Sequence, residues 1–281
     1  MSTPDQGSPA SDLSYDPAMA LGFFKSAGNL ELLAQGARIF AEAEKGNPFL
    51  LKRNKMYLLL EGEVSLSRNN KVIGTVRTGE IFGEMASISQ MPRSASAVAK
   101  TACRVVSLDD KEFQSALRKK PEFALTLMGI VIGRIRSIIA RLRASNALSA
   151  AGEWKESRVF DKKLVGELTR ELAGDSPVEF RAGNVIVSEG QFGVLMYVVL
   201  KGRVLVSIQG SVVEKIGPGG VFGEMALVDR APRLASAVAE TDCTLLGIHR
   251  NAFLKLMRTN PEFGLSLLSA MGERARFMAS R

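Results

Sequence analysis

The sequence predicts a mainly β protein with flanking α-helices, built as two tandem copies of one unit, on three observations. First, a block recurs after 140 positions: Phe82-Gly83-Glu84-Met85-Ala86 with Pro92-Arg93-Ser94-Ala95-Ser96, then Phe222-Gly223-Glu224-Met225-Ala226 with Pro232-Arg233-Leu234-Ala235-Ser236. Second, short β-rich runs punctuated by turn residues precede each block, as in antiparallel hairpins. Third, an apolar helical pattern follows each block. The register also matches Tyr57 with Tyr197, Gly62 with Gly202, Cys103 with Cys243, Phe113 with Phe253, and Pro121-Glu122-Phe123 with Pro261-Glu262-Phe263. Repetition over this length indicates duplication of a domain rather than a solenoid.

Taken in order, residues 1–18 read as a disordered tail, because Met1–Ser14 is rich in Ser, Pro and Asp and lacks the charged-then-apolar order of a signal peptide. Residues 19–147 form the first unit. Its strand runs are Tyr57-Leu58-Leu59-Leu60, Val64-Ser65-Leu66 and Val72-Ile73, with turns at Glu61-Gly62 and Asn69-Asn70. Pro121 is expected to open the closing helix, a first-turn position that tolerates proline. Along that helix Ala124, Met128, Val131, Ile135, Ile138 and Leu142 alternate four and three residues apart. Such a stripe suits a coiled-coil seam, hence a homodimer through helix 121–147, and equally suits packing on the unit's own strands or on the second unit. Residues 148–158 read as a linker holding the sole tryptophan, Trp154. Residues 159–281 repeat the plan with Tyr197-Val198-Val199-Leu200, Val204-Leu205-Val206 and Val212-Val213, then a helix opened by Pro261.

The recurring block has the chemistry of an anion site with a sugar attached. A glycine followed by a short helical stretch, Glu84 to Ile88, offers free backbone N–H groups and a positive dipole end. Arg93 adds a fork of donors suited to a phosphate. Glu84 would be repelled by that phosphate, so it makes best sense as an acceptor for a neighbouring hydroxyl such as a ribose presents. Ser94, Ala95 and Ser96 are small enough for close backbone approach, and the two hydroxyls can add hydrogen bonds.

At these residues the sequence resembles the cyclic-nucleotide-binding domain family, whose phosphate-binding cassette runs Phe-Gly-Glu, a hydrophobic residue and Ala, then after a spacer Pro-Arg, a small residue, Ala, and Ser or Thr. The resemblance covers both halves. It implies two tandem β-rolls of the double-stranded β-helix type, each followed by a C-terminal helix. It implies site A at Phe82, Gly83, Glu84, Met85, Ala86, Arg93, Ser94, Ala95 and Ser96. The matching site B is Phe222, Gly223, Glu224, Met225, Ala226, Arg233, Leu234, Ala235 and Ser236. The glutamates would hold the ribose 2′-hydroxyl and the arginines the cyclic phosphate. Details such as Ala99-Lys100-Thr101-Ala102-Cys103 look most like the bacterial catabolite activator branch, whose usual ligand is cyclic AMP, with cyclic GMP the other candidate. Protein kinase A regulatory subunits share the tandem plan.

Two departures stand out. Leu234 replaces the small residue after the arginine, so site B is expected to be weaker than site A. Gly36 to Tyr57 spans 21 residues where Gly183 to Tyr197 spans 14, an insertion around 46–53 at the ligand end that either gates the site or is merely tolerated. Trp154 either caps the base at site one or packs at the unit junction.

Composition narrows the function. The single histidine, His249, gives no support to a histidine metal centre or triad, and no nucleophile–base pair is readable, so an enzyme is not expected. Cys103 and Cys243 lie in equivalent apolar stretches, which suits buried free thiols and a cytoplasmic protein. The longest apolar run, Ala124 to Gly133, is too short to span a bilayer. Net charge is +8, with Arg134, Arg136, Arg141 and Arg143 on or near the first long helix. Charges spread along a helix are usually solvated, and with nothing like a helix-turn-helix no specific DNA binding is expected. The reading is a cyclic nucleotide receptor that signals to an unidentified effector protein. The alternatives are a scaffold with degenerate sites and a regulator that meets nucleic acid through a basic surface.

Overall fold

The computed structural model describes residues 15–46, 54–145, 156–172 and 177–280. Trp154 and nearly all of the 46–53 insertion lie outside them.

The first unit opens with α1 (Pro17–Lys25), β1 (Asn29–Leu33), β2 (Arg38–Phe40), β3 (Lys55–Glu61), β4 (Val64–Arg68) and β5 (Lys71–Val76). It continues through β6 (Ile81–Phe82), α2 (Glu84–Ser89), β7 (Ser96–Ala99), β8 (Cys103–Asp109), α3 (Asp110–Lys119) and α4 (Phe123–Ala144). After β9 (Glu156–Ser157) and α5 (Lys162–Glu171) come β10 (Val178–Phe180), β11 (Val185–Val187), β12 (Leu195–Lys201), β13 (Val204–Ile208) and β14 (Ser211–Ile216). The second unit ends with β15 (Val221–Phe222), α6 (Glu224–Asp229), β16 (Ser236–Ala239), β17 (Cys243–His249), α7 (Arg250–Thr259) and α8 (Pro261–Ala279).

Each unit is a roll of two antiparallel sheets. Unit one has the orders β1-β8-β3-β6 and β2-β7-β4-β5. Unit two repeats them as β10-β17-β12-β15 and β11-β16-β13-β14, the latter gaining β9 as a parallel edge strand. Part of the expected linker therefore belongs to the second roll. Alternation along the strands divides two cores. On β3, Tyr57 and Leu59 face the roll interior with Phe82 and Val105, while Met56 and Leu58 face the helices. Tyr197 and Val199 on β12 do the same against Met196 and Val198. The β4–β5 loop is Asn69-Asn70, both at positive φ, as a two-residue hairpin turn requires.

The second core is continuous across both units, because α4 and α8 pack on each other and their apolar faces meet in one cluster with α1, α3, α5 and α7. Each long helix also contacts the other unit's cassette helix, α4 on α6 and α8 on α2. Gly272 makes the second approach feasible, since a Cβ there would stand 2.9 Å from Ile88 Cγ2.

Three expectations change. The stripe on α4 is covered by α8 of the same chain, which removes that face from the homodimer expected through helix 121–147; Met128 and Val131 of the stripe are fully buried. Pro121 does not open α4, which starts at Phe123 after Glu122, whereas Pro261 does sit at the start of α8. Residues 17 and 18, counted in the expected tail, belong to α1, which Asp16 caps through a bond accepted from the Ala18 N–H; residues 1–14 lie outside the described residues. In addition, α4 as a whole is long and apolar enough to cross a membrane, longer than the run read from the sequence, yet more than half of that stretch is buried inside the protein. Cys103 and Cys243 are buried free thiols at the starts of β8 and β17.

Candidate functional site

The cassette is held by its glycine. Gly83 and Gly223 precede the short helices α2 and α6 in the left-handed region, at φ +72° and +86°. A Cβ on Gly83 would lie 3.0 Å from Arg93 Nη1, and on Gly223 only 2.6 Å from Arg233 Nη1. Glycine is thus needed both for the turn and for the arginine that packs over it.

Arg93 is nearly buried and its guanidinium is engaged. It donates to the Gly83 carbonyl and to the Lys55 carbonyl, both at 2.7 Å, and sits 4.1 Å from the centre of the Phe40 ring. Arg233 keeps the short bond to the Leu195 carbonyl at 2.7 Å but reaches Gly223 only at 3.4 Å. Burial lowers the pKa of both arginines. Their backbones are braced on the loop before β3 or β12: Arg93 N–H donates to the Glu44 carbonyl and Arg233 N–H to the Gln191 carbonyl. The Ser96 and Ser236 hydroxyls accept from the Glu42 and Glu189 N–H groups, so each serine ties down the equivalent loop of its own unit.

The cassette glutamates are fully buried and each meets an arginine from its own unit's long helix. Arg134 Nη1 lies 2.5 Å from Glu84 Oε1, while Glu84 Oε2 has no hydrogen-bond partner among the described residues. Arg274 is held more tightly. It donates to Glu224 at 2.7 Å, to Glu214 at 3.1 Å and to the Val221 carbonyl at 2.6 Å. Burial opposes its charge, but Glu214 and Glu224 hold its pKa above the ordinary value. Burial raises the Glu224 pKa in spite of Arg274.

Two cavities follow from these differences. The one at site A is about 950 Å³ and takes in Met85, Arg93 and Ser94 from the cassette, together with Pro92, Arg68 and faces of α4 and α8. Phe82, Gly83, Glu84, Ala86, Ala95 and Ser96 do not line it; Arg134 lines it and contacts Glu84. The cavity at site B is only about 100 Å³, lined by all nine predicted residues, Phe222 to Ala226 and Arg233 to Ser236. Small-molecule pockets usually run to about 300–1,000 Å³, so the first cavity is of ligand size and the second is not. Leu234 lies beside Ile139 of α4 and Met278 of α8 in that apolar lining.

The helix arginines read from the sequence as solvated are largely committed. Arg136 donates to Asp229 Oδ2 at 2.7 Å and to the Pro232 carbonyl at 3.2 Å, and Arg143 pairs with Glu189. Sequence reasoning missed Arg134 and Arg274 as partners of the glutamates. The signal was available, since they stand 140 residues apart like Glu84 and Glu224.

A model of the cyclic nucleotide-binding domain matches residues 32–120 and 177–260. The chain belongs to the cyclic nucleotide-binding domain family. It is similar to the cAMP-dependent protein kinase regulatory subunit of Eremothecium gossypii, 28% identical over 229 residues that make up 81% of this chain and 43% of that protein. It is also similar to the regulatory subunit of Aspergillus niger, 29% identical over 232 residues, or 80% of this chain and 51% of the relative. The chain therefore spans about half the length of these relatives. Among solved structures, the regulatory domain of Toxoplasma gondii PKA with cAMP is 21% identical, with a TM-score of 0.32, covering 90% of this chain and 88% of that one. The two curated relatives are fungal, so the expected bacterial origin finds no support in them.

Proposed function

We propose that the protein is a non-enzymatic receptor for a cyclic nucleotide, cyclic AMP foremost, and that occupancy of site A is passed to a partner protein through α4 and α8. The observation that carries this reading is the buried Glu84 carboxylate, whose Oε1 meets Arg134 while Oε2 has no hydrogen-bond partner among the described residues. A buried acceptor without a hydrogen bond is costly, by about 1–3 kcal/mol or more for a charged group. A ribose hydroxyl would satisfy it. Arg93, Ser94 and the backbone around Ala95 then receive the cyclic phosphate, with Arg93 exchanging its carbonyl partners for phosphate oxygens.

Output follows from the same contact. Arg134 belongs to α4 and is held by Glu84, so a hydroxyl that competes for the carboxylate loosens the attachment of α4 to its own cassette. Because α4 packs on α8, both units feel the change. The two curated relatives are named as regulatory subunits of a protein kinase, which makes a kinase the first class of partner to test. The small apolar cavity around Leu234 favours a weak or structural role for site B.

The test is a calorimetric titration of the full chain with cyclic AMP and cyclic GMP, repeated on Arg93→Ala and Glu84→Gln. Saturable binding that is weakened roughly ten- to hundredfold by either substitution is expected. Binding that neither substitution alters would refute the assignment of site A.

A further inference from the structure

We infer that Arg276, carried by the last helix of the second unit, is a ligand-binding residue of the first unit's site, so that site A is a composite of both units. The inference rests on the receptor reading above and adds a residue from outside the cassette.

The argument begins with a broken symmetry. Arg136 on α4 and Arg276 on α8 are equivalent positions, 140 residues apart. Each projects from its helix toward the cavity of the opposite unit, Arg136 lining the one at site B and Arg276 the one at site A. Arg136 is neutralised by Asp229, the last residue of α6. The residue equivalent to Asp229 is Ser89, the last of α2, and its hydroxyl donates back to the Met85 carbonyl at 2.6 Å. The carboxylate that would pair with Arg276 is therefore missing. Among the described residues no acceptor meets Arg276 Nε or Nη1, and both atoms are shielded from solvent.

Its surroundings make the deficit larger. Arg68, which shares the cavity, donates to the Ser94 carbonyl at 3.0 Å and the Ala279 carbonyl at 3.3 Å and so fixes the end of α8 against the cassette. Burial and Arg68 both lower the Arg276 pKa. In the other unit the place of Arg68 is taken by Ile208. Arg68 and Arg276 line the ligand-sized cavity with Arg93, Arg134 and Arg141 against a single carboxylate, Glu42, whose Oε2 accepts from the Asn69 N–H; with buried unpaired donors on Arg276, the site is short of an acceptor. With the phosphate at Arg93 and the ribose at Glu84, the part of a cyclic nucleotide left to meet Arg276 is the base. Every purine offers N7 as an acceptor and a ring face for cation–π contact, and arginine can use either.

The experiment titrates the full chain with cyclic AMP, comparing wild type, Arg276→Ala, Ser89→Asp, the double variant and Arg93→Ala. Arg276→Ala is expected to weaken site A roughly ten- to hundredfold, in line with the loss of a hydrogen bond to a charged group. Ser89→Asp should recreate the ion pair of the other half, capture Arg276 and weaken binding while leaving the arginine in place. If Arg276→Ala fails to fold, this variant still decides the matter. On the Arg276→Ala background the aspartate should have little further effect, the non-additivity expected of residues that act through one contact. Unchanged affinity in Arg276→Ala, alongside loss of binding in Arg93→Ala, overturns the role of Arg276 and leaves the receptor reading standing. An aspartate that weakens binding equally with and without Arg276 also overturns it. Unchanged affinity in Arg93→Ala brings down the receptor reading itself.

Discussion

Replacing Arg93 by alanine should cost more stability than replacing Arg233, although the two residues occupy equivalent places in the repeat. Arg93 makes two 2.7 Å bonds to backbone carbonyls and stacks over Phe40, whereas Arg233 makes one such bond and a second at 3.4 Å. Hydrogen bonds to a charged group are worth about 1.5–3 kcal/mol each, and a cation–π contact about 0.5–2 kcal/mol. Burying the guanidinium offsets part of this gain, as the lowered pKa of Arg93 indicates. The net expectation is a loss of about 2–4 kcal/mol for Arg93→Ala and about 1–2 kcal/mol for Arg233→Ala. Urea unfolding followed by circular dichroism measures both as shifts in midpoint at constant m. Should Arg93→Ala prove no less stable than Arg233→Ala, the carbonyl bonds do not brace the cassette, and the idea that ligand must compete with them fails too.

Further tests address the second site and the roll. Leu234→Ser, made on the Arg93→Ala background so that only site B is read, should strengthen cyclic AMP binding several-fold by enlarging the apolar cavity and adding a hydroxyl worth about 0.5–1.5 kcal/mol; weaker binding would make Leu234 a positive specificity feature. Glu31 in β1 is partly buried, which acts to raise its pKa, but hydrogen bonds from Lys55 at 2.6 Å and from Ser107 bring it below the ordinary carboxylate value. A depressed folded pKa means that the stabilisation is present above the unfolded pKa and lost as pH falls through the folded one. Glu31→Gln should therefore be less stable than wild type near neutrality, with the gap closing on acidification below the carboxylate range. A gap independent of pH would disprove that account.

Much of the fold was legible because its signals are local or repeated. The β3 and β12 runs, the asparagine turn at Asn69-Asn70 and the Phe-Gly-Glu blocks each announce their own conformation, and duplication reports every one of them twice. What was not legible depends on who meets whom. The stripe from Ala124 to Leu142 shows that a face is buried, but the period is the same whether a second chain or α8 covers it. The arginines of α4 look alike in sequence, yet Arg134, Arg136 and Arg143 meet three different carboxylates, on α2, on α6 and in the β11–β12 loop. Only the spacing of 140 residues hinted that Arg134 and Arg274 serve Glu84 and Glu224. Trp154 and most of the insertion at 46–53 lie outside the described residues.

The reciprocal crossing of α4 and α8 has an evolutionary consequence. In a symmetric dimer of identical chains any substitution at the crossing appears in both binding sites at once, so the sites are obliged to stay alike. Joining the two copies in one polypeptide lifts that obligation. Asp229 is a carboxylate that locks one arginine, whereas its counterpart Ser89 leaves the other arginine unlocked. Covalent fusion thereby allows the two halves to diverge, one keeping its crossing arginine in an ion pair and the other leaving it unpaired.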